Sequence, residues 1–150
     1  MLEIKKANID DVIVIIEIRK KSILSLAKNY YSNTERIKWA NLKITKANII
    51  ESIKNNEYWL LEVDHIKIGW GKIAYNRRNL LSIRGFYILS EYSCKGYGTK
   101  LLQFLENILK ENKIKEISFG ASFSAVQFYL KNGYTIIESK EDCKLMNKEF

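Results

Sequence analysis

The sequence predicts an α/β fold, in an α+β arrangement where a mixed sheet carries helices on both faces. Some segments repeat apolar residues every three or four positions, as amphipathic helices do, and others are short β-branched and aromatic runs typical of strands. Their order is one strand, two helices, three strands, a helix, a strand, a helix and two strands. Elements that alternate in this way pack as a layered sheet domain.

The chain begins with a predicted strand and a capped helix. Residues 2–5 form the strand, and Asn8 or Asp10 has a short polar side chain suited to capping the helix. The apolar run 12–16 forms a buried helix face. Because that run is too short to cross a bilayer and Glu17 interrupts it, we expect neither a membrane span nor a secretory leader.

The next region, residues 22–56, is predicted to be helical, with breaks near residues 29–33 and around Thr45. Ser32 and Glu35 have the spacing of a capping box, in which two polar side chains satisfy the first free N–H groups of a helix. A new helix is therefore expected to begin after the first break.

A hairpin follows the helical region. Two strand-like runs, residues 58–63 and 67–75, are joined at Asp64 and His65. An aspartate that opens a two-residue connection is typical of a hairpin turn. We therefore interpret His65 as a solvated turn residue rather than a catalytic base, although imidazole titrates near neutral pH.

Glycines and turn residues organise the rest of the sheet. Gly69 and Gly71 lie inside a strand and indicate a bulge or a close backbone approach. Gly133 is predicted to end a helix in the left-handed conformation, and Ser122 or Ser124 to cap that helix at its start. The remaining strands are predicted over residues 80–89, 115–119, 134–138 and 143–146.

The composition is that of one globular domain over residues 1–150, with 47% hydrophobic and 28% charged residues. The two cysteines, Cys94 and Cys143, are too few for a disulfide scaffold and lack zinc-binding spacing. We therefore expect a reducing, cytoplasmic setting and no metal site.

The net charge of +8 (25 basic and 17 acidic residues) has two interpretations. A basic face could attract nucleic acid or an acidic partner. The lysines are spread along the chain rather than clustered, which favours a compositional bias. A basic surface also weighs against a polyamine substrate, unless its pocket is locally acidic.

The central segment, residues 86–105, reads as a strand, a glycine turn and a helix. The first N–H groups of a helix have no internal partner, so a turn that contains Gly96 and Gly98 can hold a phosphate through the backbone. Lys95 and Lys100 add positive charge. Taken alone, the two glycines could equally shape a tight connection.

Two common phosphate loops do not fit this turn. A dinucleotide-binding fingerprint requires a third glycine where Leu101 stands, and a P-loop requires an earlier glycine where Ser93 stands. The turn therefore belongs to neither class.

Residues 87–99 and residues 125–134 form two motifs that together resemble the GCN5-related N-acetyltransferase (GNAT) family. Residues 87–99, YILSEYSCKGYGT, are similar to its acetyl-CoA loop, an apolar strand followed by Gln/Arg-x-x-Gly-x-Gly/Ala and a leucine-rich helix. Ser93 replaces the usual Gln or Arg, and Ser90 a frequent Pro. Residues 125–134, AVQFYLKNGY, resemble the family's Ala-x-x-Phe/Leu-Tyr-x-x-x-Gly-Phe segment. The resemblance covers residues 59 to about 138.

The resemblance implies a mostly antiparallel twisted sheet of about seven strands. It also implies a transferase that moves an acetyl group from acetyl-CoA to a primary amine of a small molecule or peptide, by direct attack in a ternary complex. Coenzyme pyrophosphate would lie on the N–H groups of residues 95–99, and the pantetheine arm along residues 87–89. The residues assigned to the coenzyme are Tyr87, Ile88, Leu89, Ser93, Cys94, Lys95, Gly96, Tyr97, Gly98, Thr99, Ser122 and Lys131.

Two residues receive catalytic roles from the resemblance. The N–H of Ile88, exposed by a strand bulge, would polarise the thioester carbonyl, and Tyr129 would protonate the leaving thiolate. The strand before Ile88 lacks the carboxylate that relatives often use as a base, which leaves Glu35, Glu57, Glu62 or a water chain open.

The acceptor pocket is expected beneath the first two helices. Glu35 and Trp39 share one helix face there and are candidates to contact the acceptor, although we favour Trp39 as a core anchor. Two other functions remain: an acyl-CoA binder of the same fold without catalysis, and a small basic nucleic-acid-binding domain. A homodimer is a further expectation.

Overall fold

The computed structural model describes residues 1–26, 28–42 and 44–150, so Ala27 and Lys43 of the predicted helical region lie outside the described residues. The strands are β1 (Leu2–Lys6), β2 (Tyr58–Val63), β3 (Ile66–Tyr75), β4 (Leu81–Ile88), β5 (Glu116–Ala121), β6 (Thr135–Ser139) and β7 (Lys144–Glu149). The α-helices are α1 (Val12–Leu26), α2 (Asn33–Ala40), α3 (Lys46–Lys54), α4 (Tyr97–Glu111) and α5 (Val126–Lys131). The predicted fold class and strand number are confirmed.

Three α-helices, rather than the predicted two, lie between β1 and β2. The hydroxyl of Ser32 accepts from the Glu35 N–H at 3.1 Å, and the hydroxyl of Thr45 accepts from the Asn48 N–H at 3.1 Å. Each of these caps begins a new helix, because it satisfies an N–H group that has no helical partner. Both predicted breaks are therefore present, and the second one separates α2 from α3.

The start of α1 is fixed by a reciprocal cap at a short 3-10 turn. The Asn8 side chain accepts from the Asp10 N–H at 2.9 Å, and the Asp11 carboxylate accepts from the Asn8 N–H at 2.8 Å. Asp11 is buried and also forms an ion pair with Lys67 of β3. This cap therefore ties the first helix to the sheet.

The strands form two antiparallel sheets, in the orders β1-β2-β3-β4 and β5-β7-β6. The sheets meet where β4 lies beside β5. No backbone ladder joins these two strands in the described residues, and only the Ser82 hydroxyl bridges them, donating to the Ser118 carbonyl at 3.4 Å. We call this boundary the β4–β5 junction.

The β2–β3 hairpin turns as predicted. Asp64 and His65 have φ of 49° and 67°, the left-handed pair that a two-residue hairpin turn requires. His65 is exposed, so the interpretation of this residue as a solvated turn position is confirmed.

Helices cover both faces of the first sheet. On one face α1 and α3 pack against Leu60 and Trp70, and the Trp70 indole N–H donates to the Ile15 carbonyl at 3.0 Å. On the other face α4 lies so close that a Cβ on Gly71 would stand 2.4 Å from Leu105. The close approach predicted for this glycine is confirmed.

None of the helices in the described ranges is long and apolar enough to cross a bilayer.

Trp39 is not a core anchor, which corrects the sequence interpretation. Its side chain is half-buried, lies outside both buried clusters, and contacts the Tyr31 ring edge-on with centroids 5.4 Å apart. The helix that carries it, α2, is only eight residues long and buries Ala40 alone. Its larger side chains therefore remain near the surface.

Candidate active site

The last residue of β4 presents backbone groups away from its sheet. The Leu89 N–H donates to the Ile68 carbonyl at 2.8 Å, and Ile88 stands opposite Gly69. Backbone groups alternate sides along an antiparallel strand, so the N–H and C=O of Ile88 point away from β3. The carbonyl accepts from the Ser22 hydroxyl of α1 at 3.0 Å. Because β4 is an edge strand, the Ile88 N–H faces the β4–β5 junction.

The bulge in β4 lies earlier in the strand than Ile88. Lys72 stands opposite Gly85 and Ile73 opposite Ile83, which leaves Arg84 as the extra residue. The outward N–H of Ile88 therefore results from its place on an edge strand rather than from a bulge at that residue, a correction to the sequence interpretation.

The backbone groups of two other predicted coenzyme contacts are already engaged. Leu89 uses its N–H on Ile68 and its carbonyl on the Tyr92 N–H, and Tyr87 stands opposite Trp70 in the paired set. The same alternation turns the backbone of Phe86 outward, beside that of Ile88. Sequence reasoning missed Phe86 because only the strand register reveals which groups are unpaired.

The N-terminus of α4 keeps its first N–H groups free. Gly96 is the N-cap residue with a φ of 84°, and none of the side chains in the described residues caps the helix. The first internal bond runs from the Lys100 N–H to the Gly96 carbonyl at 3.2 Å. The N–H groups of Tyr97, Gly98 and Thr99 therefore have no helical partner, which suits an anion such as a pyrophosphate. A Cβ on Gly96 would meet no atom within 4 Å, so the loop has open space above it.

The side chains before this helix shape the loop. The Ser93 hydroxyl donates to the Ser90 carbonyl at 2.8 Å, so this side chain closes the turn. Cys94 is exposed with a φ of 60°. The Lys95 ammonium lies 5.9 Å from the Tyr92 ring centroid, where its charge remains near the free N–H groups. Contacts of these residues with the coenzyme stay predictions.

One aromatic residue joins the loop to the helix that carries Tyr129. A Cβ on Gly98 would approach the Phe128 ring to 3.1 Å. A larger residue at position 98 would therefore displace this ring. The Phe128 ring also stacks on Phe86 of β4, with centroids 5.5 Å apart. This packing connects the turn at Gly96 and Gly98, the edge strand β4 and α5.

Tyr129 lies beneath the β4–β5 junction. Its ring packs edge-on against Phe86 of β4 at 6.3 Å and Phe119 of β5 at 4.8 Å. Burial raises the pKa of its hydroxyl above the ordinary value of 10.0, and the nearby Tyr87 hydroxyl raises it further. No group in the described residues hydrogen-bonds to the Tyr129 hydroxyl, which remains available to a ligand.

Neither serine caps the helix of Tyr129, contrary to prediction. The Ser122 and Ser124 hydroxyls lie 3.0 Å from each other, and neither accepts from a first-turn N–H. The hydroxyl of Tyr31 replaces them, accepting from the Phe123 N–H at 2.9 Å. Lys131 is exposed at the far end of α5, and its assignment to the coenzyme stays a prediction.

Tyr31 ties the segment between α1 and α2 to the second sheet. Besides accepting from Phe123, its hydroxyl donates to the Asp142 carbonyl at 3.0 Å, and the Tyr31 and Phe123 rings stack 5.5 Å apart. Sequence reasoning placed this residue in a helix break and gave it no role. A tyrosine inside the predicted break does not indicate which distant segment it contacts.

We expect Tyr31→Phe to lower the free energy of unfolding by about 1–2 kcal/mol, because two hydrogen bonds to the hydroxyl are lost. Urea denaturation of the parent and the variant measures this difference. Tyr30→Phe, at an exposed neighbouring tyrosine, is the control and should be neutral. A Tyr31 variant as stable as that control would contradict the bridging role.

A cavity of about 330 Å³ lies on the α1 face of the first sheet. Its lining residues are Ile15, Ile16, Arg19, Lys20, Ala40, Asn41, Leu42, Ile44, Lys46, Ile49, Tyr58 and Trp70. Burial raises the pKa of the Tyr58 hydroxyl to about 12, so this group stays neutral. The other described lining residues are apolar or aromatic, apart from three basic residues and one amide.

The three carboxylates considered as bases are not gathered at the junction. Glu57 lies 3.7 Å from the Lys72 ammonium, and buried Glu62 pairs with Lys5 of β1 at 2.7 Å. Glu35 is exposed in the first turn of α2. Neither Glu35 nor Trp39 lines the cavity.

The family of this chain follows from a comparison with family models. A model described as an acetyltransferase (GNAT) domain matches residues 54–136, more than half of the chain. The chain belongs to the GNAT family of acetyltransferases. This GNAT domain match runs from β2 to the first residues of β6, and so includes the edge strand, the glycine turn before α4 and the helix of Tyr129.

Relatives of this GNAT protein are similar over their whole length. A spermidine N(1)-acetyltransferase of Thermoplasma acidophilum is 27% identical over 163 residues, spanning 99% of this chain and 98% of the relative. The crystal structure of the PaiA N-acetyltransferase from the same organism, in complex with coenzyme A, matches with a TM-score of 0.88 at 24% identity, covering 100% and 99% of the chains. The structure of a GCN5-related N-acetyltransferase of Rhodopseudomonas palustris also matches with a TM-score of 0.88, at 19% identity, covering 99% of this chain and 95% of the other.

Membership of the GNAT family confirms three expectations from the sequence. The protein is an acetyltransferase, it takes the acetyl group from acetyl-CoA, and its fold is that of the family. The free N–H groups at α4 and the open space above Gly96 fit the pyrophosphate of that co-substrate.

Proposed function

We propose that this GNAT acetyltransferase acetylates a primary amine by direct attack in a ternary complex, with Ile88 and Tyr129 as its catalytic residues. The observation that carries the proposal is their convergence on the β4–β5 junction. The Ile88 N–H faces the junction from the edge of β4, and the Tyr129 hydroxyl, without a protein partner in the described residues, lies beneath it. A hydrogen-bond donor and a proton donor are the two groups that acyl transfer from a thioester requires.

The co-substrate would be held at two places. Its pyrophosphate would accept from the N–H groups at the start of α4, and its pantetheine arm would run along the outward backbone of Phe86 and Ile88. The Ile88 N–H would then donate to the thioester carbonyl oxygen, which gains negative charge as the amine attacks. The acceptor ammonium would lose one proton to solvent or to a base before it attacks. As the intermediate collapses, Tyr129 would give its proton to the departing sulfur, and the second proton lost by the nitrogen would restore the Tyr129 hydroxyl through solvent.

The acceptor is proposed to reach the junction from the α1 face, where the cavity lies. The relative in Thermoplasma acidophilum acts on spermidine by name, which makes a polyamine one candidate. The basic residues of the cavity and the net charge of +8 weigh against it. We therefore keep the acceptor as a primary amine of a small molecule or a peptide.

A second candidate function is the binding of acyl-CoA without transfer of the acyl group. The observation that favours it is the absence of a carboxylate from the cavity lining in the described part of the chain. It predicts coenzyme binding without thiol release on any amine. A screen of amines with acetyl-CoA, in which the release of the coenzyme thiol is measured, separates the two functions.

Coenzyme binding should depend on Gly96. We expect Gly96→Ala to weaken the binding of acetyl-CoA at least tenfold, because the new methyl group would enter the open space above the loop. An alanine in the left-handed conformation also costs about 1 kcal/mol or more. The parent should gain about 2.7 kcal/mol of stability at 100 times the dissociation constant, and a thermal-shift titration measures both.

Gly133→Ala is the matched control for this substitution. Gly133 has a φ of 90°, so alanine is strained there as it is at Gly96, but it lies at the far end of α5. Its melting temperature should fall while its coenzyme affinity stays within about threefold of the parent. Equal affinity losses in the two variants would place the coenzyme elsewhere.

The proposal also includes a single domain, a cytoplasmic location and a homodimer, none of which the fold itself requires. Light scattering of the purified protein, with and without acetyl-CoA, tests the assembly. Fractionation of cells that express the full chain tests the location.

A further inference from the structure

The cavity on the α1 face combines a basic lining with an apolar wall. Arg19, Lys20 and Lys46 line it, and none of the described lining residues is acidic. Coulomb repulsion between like charges becomes stronger away from bulk water. This cavity is therefore a poor site for a polycation and a favourable one for an anion.

Arg19 is the buried charge of this cavity. Only 8% of the residue is exposed, and its guanidinium donates to the carbonyls of Ala40 at 3.4 Å and Trp39 at 3.2 Å. No carboxylate among the described residues forms an ion pair with it. A buried charge without a counterion is costly, because neutral carbonyls replace only part of the lost hydration. The guanidinium therefore has neutral hydrogen-bond partners but no counterion among the described residues, which favours an anionic group of a ligand here.

The same side chain lies near the hydroxyl of Tyr87, the residue beside Ile88 in β4. Arg19 precedes Ser22 by three residues on α1, and the Ser22 hydroxyl contacts the Ile88 carbonyl at 3.0 Å. A rise of about 4.5 Å along the helix axis therefore separates the backbone of Arg19 from that of Ser22, which contacts the proposed oxyanion donor. Burial raises the pKa of the Tyr87 hydroxyl, and the charge of Arg19 opposes this effect, as expected of two neighbouring groups.

We propose that the acceptor is an amine that also carries a carboxylate, and that Arg19 binds this carboxylate in the cavity. A planar guanidinium matches the two oxygens of a carboxylate, and Lys20 and Lys46 add to the attraction at the entrance. The amine would then lie toward Ile88. This inference rests on the proposed function, because it names the substrate class of that reaction.

The experiment compares three series of amines of equal chain length on the purified full-length protein. ω-Amino carboxylates of two to six carbons, the corresponding diamines and the corresponding alkyl monoamines are each titrated into the complex with coenzyme A by calorimetry. The same compounds are tested for turnover by thiol release from acetyl-CoA. We expect the best amino carboxylate to bind at least tenfold more tightly than its monoamine, and its diamine to bind more weakly than both.

Substitutions assign the preference to the cavity. Arg19→Gln should reduce the carboxylate preference to within about twofold and leave the monoamines unchanged. Lys21→Gln removes an equal charge from an exposed position of the same helix that does not line the cavity, and should keep the preference. If Arg19→Gln fails to fold, judged by its coenzyme binding, the exposed Lys20→Gln and Lys46→Gln variants should each lower the preference two- to fivefold.

The outcomes separate this inference from the proposed function. Diamines that bind as tightly as amino carboxylates, or a preference that survives in folded Arg19→Gln, would overturn the inference even if acetyl transfer is observed. Arg19-dependent binding of amino carboxylates without turnover of any amine would support the anion site and refute the transferase proposal.

Discussion

Replacing Ile88 with proline is expected to lower kcat by 10²- to 10³-fold, the usual effect of losing one oxyanion donor. Proline has no N–H, and the N–H it removes points away from β3, so the strand ladder remains intact. Proline is tolerated on edge strands for this reason, and Tyr87 before it is already extended, as a residue preceding proline must be. Single-turnover thiol release at saturating acetyl-CoA measures the chemical step.

Ile88→Ala is the control that retains the N–H. The isoleucine side chain is buried, with 8% exposed, so both variants lose its packing, at a cost of about 2–4 kcal/mol in the free energy of unfolding. Only the proline variant should show the large fall in kcat, and the kcat of the alanine variant should stay within about threefold of the parent value. The same loss of kcat in both would show that packing, rather than the N–H, sets the rate.

Tyr129→Phe is expected to lower kcat by about 10²-fold, the lower end of the range for a general acid. A proton donor must hold its proton at the working pH. Burial and the Tyr87 hydroxyl raise the pKa of Tyr129 above 10.0, so the donor form persists through neutral and mildly alkaline pH. The kcat of the parent should therefore rise as the acceptor amine deprotonates, without an alkaline fall below about pH 10. The variant should be slower at every pH.

Tyr134→Phe is the matched control for this substitution. Its ring lies 5.4 Å from that of Tyr129, and its hydroxyl donates to the buried Glu106 carboxylate at 3.1 Å. Losing that bond should lower the free energy of unfolding by about 1–3 kcal/mol and leave kcat unchanged. A Tyr129→Phe enzyme with the parent's kcat would remove the phenol from the mechanism.

Features set by neighbours in the chain could be predicted from the sequence. The hairpin turn at Asp64, the cap at Ser32 and the left-handed Gly133 each depend on the conformation of one or two residues, and all three are present. The motif containing Gly96 and Gly98 was equally local, because a free helix N-terminus requires only a turn and the helix that follows it. Hydrophobic periodicity gave the strand count for the same reason.

Features set by contacts between distant segments could not be predicted. The outward direction of Phe86 depends on the register of β4 against β3, and a shift of one residue would reverse it. Tyr31 caps a turn 92 positions away. Arg19 looks like an ordinary helix charge until its burial and the carbonyls it contacts are known. Trp39 was misjudged because residue type indicates a tendency toward burial, whereas helix length and neighbours decide it.

The unpaired boundary between β4 and β5 has a consequence for how the enzyme is built. Without a ladder there, the two sheets depend on α4, α5 and the aromatic side chains between them to stay in register. A pantetheine arm laid along Phe86 and Ile88 would take the place of a missing strand and join the two halves. Binding of the co-substrate would then connect the two sheets before the reaction begins, and the protein would be most rigid in the complex that reacts.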